Sequence, residues 1–400
     1  MNHIKRKSVP PLPLVTFLLG LLVIPLLSRL HPPPPPRPAL PPTALAPHPE
    51  TCAQWLSQQR QTRAYLDAYI IGVQKGATSE LAMRLSHLSV LPRDMAKEWH
   101  YLERLLDPAH TPYPTALHMP YTGPDLGALR LAHYLSGFPG RNASVRAEEA
   151  IPLVDGAAAH NRTLVYDGTV EYMLSARVAF LAHALTPHAK VVLTVREPLR
   201  RARSQYNMMT RVFNAGRRRQ GLAAVAATPE RFHEILRKEM GRLGECGYDA
   251  ETARLDRSTT DMLRCMMPEK HSFDDLLYVT RGLYHVHIET WRRHFPDHRM
   301  HFVSFDDVAM GRGEALQGLA RFLCIREWDE RLLKMYRDKG GSKSYGERAA
   351  EQGLDKLGFE TYSGADRYML EVLPQTREMV DRFYAAANVK LELMLGRKMW

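Results

Sequence analysis

The chain has 400 residues, of which 45% are apolar and 24% charged, the composition of a globular protein. Its length is enough for one large α/β domain with appendages or for two average domains. Lys and Arg outnumber Asp and Glu by 54 to 43, and the net charge of +11 favours a polyanionic partner: nucleic acid, an anionic membrane or an acidic polysaccharide. No helix-turn-helix, zinc-finger or RNA-binding signature is present, which argues against nucleic acid.

An uncharged, mostly aliphatic run covers residues 9–28 and follows the basic residues Lys5, Arg6 and Lys7. A run of this length can cross a bilayer as a helix, and the basic flank orients the N-terminus toward the cytoplasm. A cleaved signal peptide is the alternative, but no clear small-x-small cleavage site follows. We therefore predict a cytoplasmic tail at 1–8 and a transmembrane signal-anchor at 9–28, with the rest of the chain translocated.

The segment 29–64 is rich in proline and predicts a stiff stem, for which a disordered linker is the alternative. The folded domain is then expected over 65–400. Asn142 and Asn161 each begin an Asn-x-Ser/Thr triplet and are candidate glycosylation sites in a translocated domain.

The four cysteines form no C-x-x-C pair, so we do not expect structural zinc. Cys246 and Cys265 flank a polar, loop-like segment, and a disulfide between them is expected in an oxidising compartment. Cys324 is predicted at a buried helix end, and Cys52 is compatible with either a free or a paired state. His285-x-His287 is a weak metal motif, because a helix would place the two rings on different sides.

An apolar run over 69–73 breaks at a small turn and continues at helical spacing, which predicts a buried parallel strand, a tight loop and a helix. Such a loop directs backbone N–H groups and the positive end of the helix at one point, an arrangement that suits phosphate. It is not a Walker A loop, because Lys75 precedes Gly76 and does not follow it. An ordinary strand–turn–helix with an exposed lysine is the alternative. The candidate phosphate ligands in this loop are Lys75, Gly76, Ala77, Thr78 and Ser79.

A second phosphate element is predicted where the apolar strand 190–195 runs into Arg196 and a helix over 199–209 that carries Ser204. Ligands of open α/β sheets bind at the carboxyl ends of strands, and the arginine fork matches phosphate oxygens. The alternative is an arginine that pairs with a neighbouring carboxylate. A glycine-lysine loop with Lys339, Gly340 and Lys343 suits phosphate as well as plain flexibility.

A third candidate is Lys97-Glu98-Trp99-His100, in which ionisable and aromatic residues alternate. A carboxylate beside an imidazole could act as a general base with an orienting partner. The alternative is the start of a surface helix.

Taken in order, these motifs resemble those of the membrane-anchored carbohydrate sulfotransferases. The loop around Lys75 is similar to their 5′-phosphosulfate loop, and Arg196 with Ser204 is similar to their 3′-phosphate element. Lys97-Glu98-Trp99-His100 is similar to their Lys-Glu-Pro-His. Further matching segments are Asp167 to Tyr172, Gly282-x-Tyr284 through Trp291, Phe295-Pro296 and Leu373-Pro374-Gln375-Thr376-Arg377. The last of these is nearest the branch that contains N-acetylgalactosamine 4-sulfate 6-O-sulfotransferase.

The resemblance implies a P-loop-like sulfotransferase fold, a central parallel sheet flanked by helices, in the Golgi lumen behind a single-pass type II anchor. It also implies 3′-phosphoadenosine 5′-phosphosulfate as sulfate donor, an anionic carbohydrate of glycosaminoglycan type as acceptor, and no metal. Glu98 is then the base for the acceptor hydroxyl, with His100 orienting it or sharing its role. Lys75 neutralises the charge that develops on the bridging oxygen.

Four residues depart from the family pattern. Ala77 stands where Gly or Thr is usual, and we expect it to be tolerated because backbone donors form the cradle. Trp99, Gly168 and Val170 alter the acceptor side. The altered segment from Asp167 to Tyr172 leaves room for a lumenal glycan-binding protein that kept the fold and lost activity. A P-loop-type kinase is a further alternative, disfavoured by the position of the lysine and the translocated topology.

Overall fold

The computed structural model describes residues 51–61, 66–86, 88, 90–92, 98, 102, 164–267, 273–325 and 370–400. The predicted anchor and most of the stem lie outside the described residues. So do His100, Asn142, Asn161, Lys339, Gly340 and Lys343. The described part of the predicted stem is the helix Cys52–Gln61, whose Trp55 is buried in the core, so the boundary predicted at residue 65 is too late. Among the described helices, none combines the length and the apolar character that a bilayer crossing requires.

The described elements alternate between strands and helices along the chain. The helices are α1 Cys52–Gln61, α2 Thr78–Ser86, α3 Ala176–Leu185, α4 Pro198–Arg219, α5 Pro229–Glu245, α6 Thr259–Met266, α7 Tyr284–Arg292, α8 Phe305–Met310, α9 Gly313–Leu323 and α10 Pro374–Leu395. The strands are β1 Ala68–Gly72, β2 Val90–Pro92, β3 Leu164–Asp167, β4 Lys190–Val195, β5 Tyr248–Asp249, β6 Arg254–Leu255 and β7 Met300–Ser304. Short 3-10 turns cover Val170–Leu174, Phe273–Asp275, Thr280–Gly282 and Asp297–Arg299.

Five strands form one sheet in the order β2-β3-β1-β4-β7, and every neighbouring pair is parallel. All residues of β1 and β4 are buried, which explains why both read as continuous apolar runs in the sequence. Their register aligns Tyr69 with Val191 and Ile70 with Val192, so their carboxyl ends lie side by side. The predicted α/β architecture with a central parallel sheet flanked by helices is confirmed.

The two faces of the sheet contribute to two apolar clusters, because successive strand residues point to opposite sides. From β1, Tyr69 and Ile71 join the larger cluster with α3, α7 and α10. Ala68 and Ile70 join the smaller cluster with α1, α2 and α9. Each face of the sheet is therefore covered by helices.

The helix after β4 is longer than expected, because it continues from the predicted end at Met209 to Arg219. Glu197 caps its first turn by accepting from the N–H groups of Leu199 (3.1 Å) and Arg200 (2.8 Å). No proline interrupts the sequence before residue 229, so local chemistry does not stop the helix at 209. The polar segment that follows Met209 thus begins as an extension of α4.

Two disulfides tie the described chain together. Cys246 is bonded to Cys265 with the Cα atoms 5.7 Å apart, the pair expected from the sequence. Cys52 is bonded to Cys324 with the Cα atoms 5.5 Å apart, across a sequence separation of 272 residues. The second bond fastens α1 to the end of α9.

Candidate functional site

The loop between β1 and α2 carries the backbone geometry of an anion site. Lys75 and Ala77 both have a φ of 70°, while Gly76 between them does not. Such an alternation of left- and right-handed residues turns successive N–H groups toward one concave point. The first N–H groups of α2, from Thr78 onward, have no acceptor within the helix and add its positive end.

Gly76 is required for a close approach between this loop and the neighbouring strand. A Cβ at position 76 would lie 2.6 Å from Thr194 Oγ1 and 2.9 Å from the carbonyl oxygen of Val73. Thr194 also fastens the loop, because its hydroxyl donates to the Gly72 carbonyl (2.9 Å) and its carbonyl accepts from Val73 N–H (2.9 Å). The N–H of Gly76 is itself bonded to the Val73 carbonyl at 2.9 Å. Gly76 therefore serves the loop by its lack of a side chain, and the anion donors come from its neighbours.

Arg196 joins this loop from the carboxyl end of β4. Its Nη1 donates to the Lys75 carbonyl (3.1 Å), and its guanidinium lies 3.8 Å from the centre of the Phe305 ring. The Tyr284 hydroxyl donates to the Arg196 carbonyl at 2.7 Å and holds the main chain at this corner. Burial raises the pKa of Tyr284 to about 12, so the phenol keeps the proton that it donates. The structure thus brings together two elements that lie 121 residues apart in the chain.

Ser204 and Tyr206 lie in the second and third turns of α4 and have different surroundings. Ser204 is half-buried. Tyr206 is fully buried, and its ring centre is 5.0 Å from that of Phe232 in the larger cluster. Ser204 is therefore partly open to solvent, whereas Tyr206 is part of the core.

Glu98 lies near the end of β3, the strand on the other side of β1. Burial raises the pKa of Tyr166, and the charges of Asp167 and Glu98 add to the increase. Asp167 accepts from the Thr169 hydroxyl (2.7 Å) and the Tyr172 hydroxyl (2.9 Å). The N–H of Leu102 donates to the same Tyr172 hydroxyl at 3.0 Å. Glu98 is thus a carboxylate whose charge acts on Tyr166 of β3, the strand beside β1.

A buried ion pair that the sequence did not predict is hydrogen-bonded to the residue before Lys75. Arg281 and Glu171 are 1% and 6% exposed, with 3.6 Å between Arg281 Nη1 and Glu171 Oε1. The same Glu171 oxygen accepts from Gln74 Nε2 at 3.3 Å, directly before Lys75. The sequence offered one signal: Glu171 and Arg281 lie within or beside segments that carry the family resemblance. Glu171 is therefore a positioning residue for the loop.

The two histidines of the weak metal motif bind different carbonyl groups. His285 Nε2 lies 3.2 Å from the Ala253 carbonyl, and His287 Nε2 lies 2.9 Å from the Thr280 carbonyl. Burial lowers the pKa of His285 to about 3 and that of His287 to about 4, so both rings are neutral at physiological pH. Within the residues that the structure describes, no group of His, Cys, Asp and Glu is arranged to hold a metal ion.

Comparisons with known proteins give one family match and several structural neighbours. Residues 177–339 match the family model described as "Sulfotransferase domain". A sulfotransferase from Alicyclobacillus acidocaldarius is 16% identical, with 83% of this chain and 96% of that chain covered and a TM-score of 0.44. The sulfotransferase domain from the curacin biosynthetic pathway is 12% identical, with 84% and 99% covered and a TM-score of 0.35. A comparison with curated proteins gives no match.

The matched residues include Arg196, Ser204 and Arg281, while Lys75 and Glu98 precede them. The match supports a sulfotransferase as the class of this protein.

Proposed function

We propose that the protein transfers sulfate from 3′-phosphoadenosine 5′-phosphosulfate to a hydroxyl group of an anionic carbohydrate. The observation that carries this proposal is the hydrogen bond from the Arg196 guanidinium to the Lys75 carbonyl. It places two cationic, donor-rich elements together at the carboxyl edge of adjacent strands, where open α/β sheets bind their ligands.

The residues present fit a nucleotide that carries two separate anionic groups. Lys75, the amide groups at the start of α2 and the hydroxyls of Thr78 and Ser79 supply donors on one side. Arg196 and Ser204 supply a guanidinium and a hydroxyl on the other side. The donor, when bound, provides the sulfuryl group that is transferred. The loop with Lys339, Gly340 and Lys343 remains a prediction as an additional contact.

The chemical step is an in-line displacement at sulfur. The acceptor oxygen forms the new S–O bond, the bond from sulfur to the bridging oxygen breaks, and the nucleotide bisphosphate leaves with that electron pair. Glu98 takes the proton of the attacking hydroxyl, because a sugar hydroxyl is a poor nucleophile at neutral pH. Lys75 stabilises the charge on the departing oxygen. His100 orients Glu98 or the acceptor.

The acceptor class is proposed from charge, since a net charge of +11 suits an anionic polysaccharide of glycosaminoglycan type. A Golgi location with a type II anchor at 9–28 belongs to the same proposal, because such chains are modified in that lumen. A glycan-binding protein without activity is the second candidate. Gly168 and Val170 favour this second candidate, because both depart from the family pattern in the turn after β3, on the acceptor side.

The decisive experiment measures transfer of radiolabelled sulfate from the donor to a panel of chondroitin, dermatan and heparan chains. We expect Lys75→Ala and Glu98→Gln to abolish transfer, and Arg196→Ala to weaken retention on immobilised 3′,5′-adenosine bisphosphate. Arg237→Ala is the control, because that arginine is 58% exposed and lies on α5.

Near-normal turnover of Glu98→Gln would remove Glu98 from the mechanism. A wild-type protein that binds chondroitin sulfate but not the nucleotide would favour the glycan-binding protein, and magnesium-dependent retention by ATP would favour a kinase.

A further inference from the structure

A long acid-free stretch follows the candidate donor site. Between Glu197 and Glu230 the chain has seven arginines and no Asp or Glu. Besides Arg200, which pairs with Asp306 at 3.6 Å, three of these arginines are exposed: Arg211, Arg218 and Arg219. None of the three has an ion-pair partner within the described part of the chain. We call these three residues the arginine stripe.

The arginine stripe continues the helical face that carries Ser204. Residues seven apart on a helix lie almost directly above one another, so Ser204, Arg211 and Arg218 share one face of α4. Each step of seven residues advances about 10 Å along the axis. The face therefore leads from the candidate donor site to a row of unpaired positive charge.

The end of α4 extends beyond the core and is held in place by its own return segment. A Cβ added at Gly216 or Gly221 would meet no atom within 4 Å. Asn214 fastens the return, because its side chain donates to the Val225 carbonyl (2.9 Å) and accepts from the Val225 N–H (2.7 Å). Arg217 donates to the Ala223 carbonyl in the same turn. The stripe is thus presented to solvent on an ordered support.

Stabilisation of the helix end does not account for the whole stripe. Cations in a last turn complement the helix dipole, which explains positions 217–219. Arg211 lies two turns earlier, where this effect has faded. The helix dipole therefore does not explain why Arg211 is exposed and has no acidic residue near it in the sequence.

We infer that the arginine stripe is a docking surface for a polyanionic polysaccharide, a chain that extends from the reaction centre along α4. This inference rests on the proposed function, because it names where the remainder of a long acceptor is held. An anionic lipid surface fits less well, since an interfacial helix buries one continuous apolar face. Here the large apolar residues exposed on and just after α4 are Val212, Phe213 and Leu222, and Phe213 packs at 5.4 Å on the Phe273 ring, so α4 presents no continuous apolar face beside the stripe.

The test compares the full chain with an Arg211→Gln/Arg218→Gln/Arg219→Gln variant on immobilised chondroitin sulfate across a salt series. The matched control is Arg237→Gln/Arg264→Gln/Arg382→Gln, which removes the same charge from arginines that are 58%, 66% and 79% exposed. Uncharged dextran and vesicles of phosphatidylserine and phosphatidylcholine are the other ligands. Melting temperature and retention on 3′,5′-adenosine bisphosphate are measured for every sample.

We expect the stripe variant to bind chondroitin sulfate about tenfold or more weakly, with a shallower salt dependence, while the control variant stays within about twofold of wild type. Equal losses in the two variants would overturn the docking surface, because net charge alone would then explain binding. Preferential loss of vesicle binding would overturn it in favour of a lipid surface. Failure of the nucleotide to retain the wild type would overturn the proposed function and leave the comparison of variants on chondroitin sulfate interpretable.

Discussion

Two residues in the β1–α2 loop have a backbone conformation that L-amino acids disfavour. Lys75 and Ala77 both have a φ of 70°, and neither is glycine. The left-handed region costs a non-glycine residue about 1–2 kcal/mol. Strain of this kind is kept where the surrounding structure imposes it, and here the loop is bonded to Thr194 of β4. The strained positions are those that form the concave row of N–H groups.

We predict that Ala77→Gly stabilises the protein by about 1 kcal/mol, because glycine adopts this φ without strain and its larger unfolded-state entropy offsets only part of the gain. Gly76→Ala is the opposite case, since its Cβ would lie 2.6 Å from Thr194 Oγ1. We expect it to destabilise the fold and to weaken nucleotide retention. Urea midpoints and retention on 3′,5′-adenosine bisphosphate measure both effects. A destabilised Ala77→Gly would contradict the strain at position 77.

The buried pair of Glu171 and Arg281 supports a second prediction at this scale. Glu171→Gln keeps the shape of the side chain but removes a carboxylate from the buried ion pair with Arg281, and we expect a loss of about 3 kcal/mol in unfolding free energy. Because Glu171 also accepts from Gln74, donor binding should weaken as well.

Glu234→Gln is the matched control for this change, since Glu234 forms exposed ion pairs with Arg237 and Lys238 on α5. Exposed pairs contribute less than about 1 kcal/mol. Denaturant midpoints and nucleotide affinity are measured for both variants. Equal effects of the two substitutions would show that burial of the pair at Glu171 has no special consequence.

Among the elements, α7 joins the site to the core. At its first residue, the Tyr284 hydroxyl donates to the Arg196 carbonyl. Near its other end, Trp291 packs against Tyr69 of β1 with ring centres 6.4 Å apart. His285 and His287 on this helix bind backbone carbonyls as neutral rings. Protonation of either ring would place a charge in the buried interior, which opposes the packing of this helix.

This arrangement predicts loss of stability in acid. The pKa of His287 is lowered by burial to about 4, below its ordinary value, so between pH 6.5 and about 4 the unfolded chain binds a proton that the folded chain does not. This proton uptake lowers the free energy of unfolding. The loss is absent well above pH 6.5 and grows as the pH falls. At pH 5 it amounts to about 2 kcal/mol for this residue. The urea midpoint should therefore fall between pH 7 and pH 5.

His287→Gln should flatten this decrease, because glutamine does not titrate and its amide can still donate to the Thr280 carbonyl. His298→Gln, at an exposed position, is the control. A pH dependence that is the same in both variants would assign the acid sensitivity to other groups.

At the scale of the whole molecule, the Cys52–Cys324 disulfide connects the start of the described chain to the end of α9. In the loop-entropy model a bond across 272 residues stabilises a fold by about 6 kcal/mol, and one across 19 residues by about 3 kcal/mol. The longer bond also holds α1 on the face of the sheet that carries the smaller cluster.

We predict that Cys52→Ser/Cys324→Ser lowers the denaturant midpoint more than Cys246→Ser/Cys265→Ser does, because it releases the larger loop. The midpoints of both variants are compared with wild type under oxidising conditions. In the presence of a reductant that opens both bonds, all three proteins should converge. A larger effect from the Cys246 pair would indicate that local packing in the α5–α6 region outweighs loop length.

Local chemistry by itself determined the elements that carry the site. The apolar runs before Lys75 and Arg196 specify buried parallel strands, because hydrophobic residues on both faces suit only a covered sheet. The following turns and helices could be predicted for the same reason. The end of α4 could not, because nothing near Met209 in the sequence marks either a stop or a continuation.

Only the tertiary structure decided which residues meet. The adjacency of β1 and β4, the contact of Gly76 with Thr194 and the Glu171–Arg281 pair each join segments that are about 100 residues apart or more. Such contacts depend on strand order and on register, which no local pattern encodes. The sequence thus determined what each segment of the site is made of, and the packing of the sheet determined that Lys75 and Arg196 lie together.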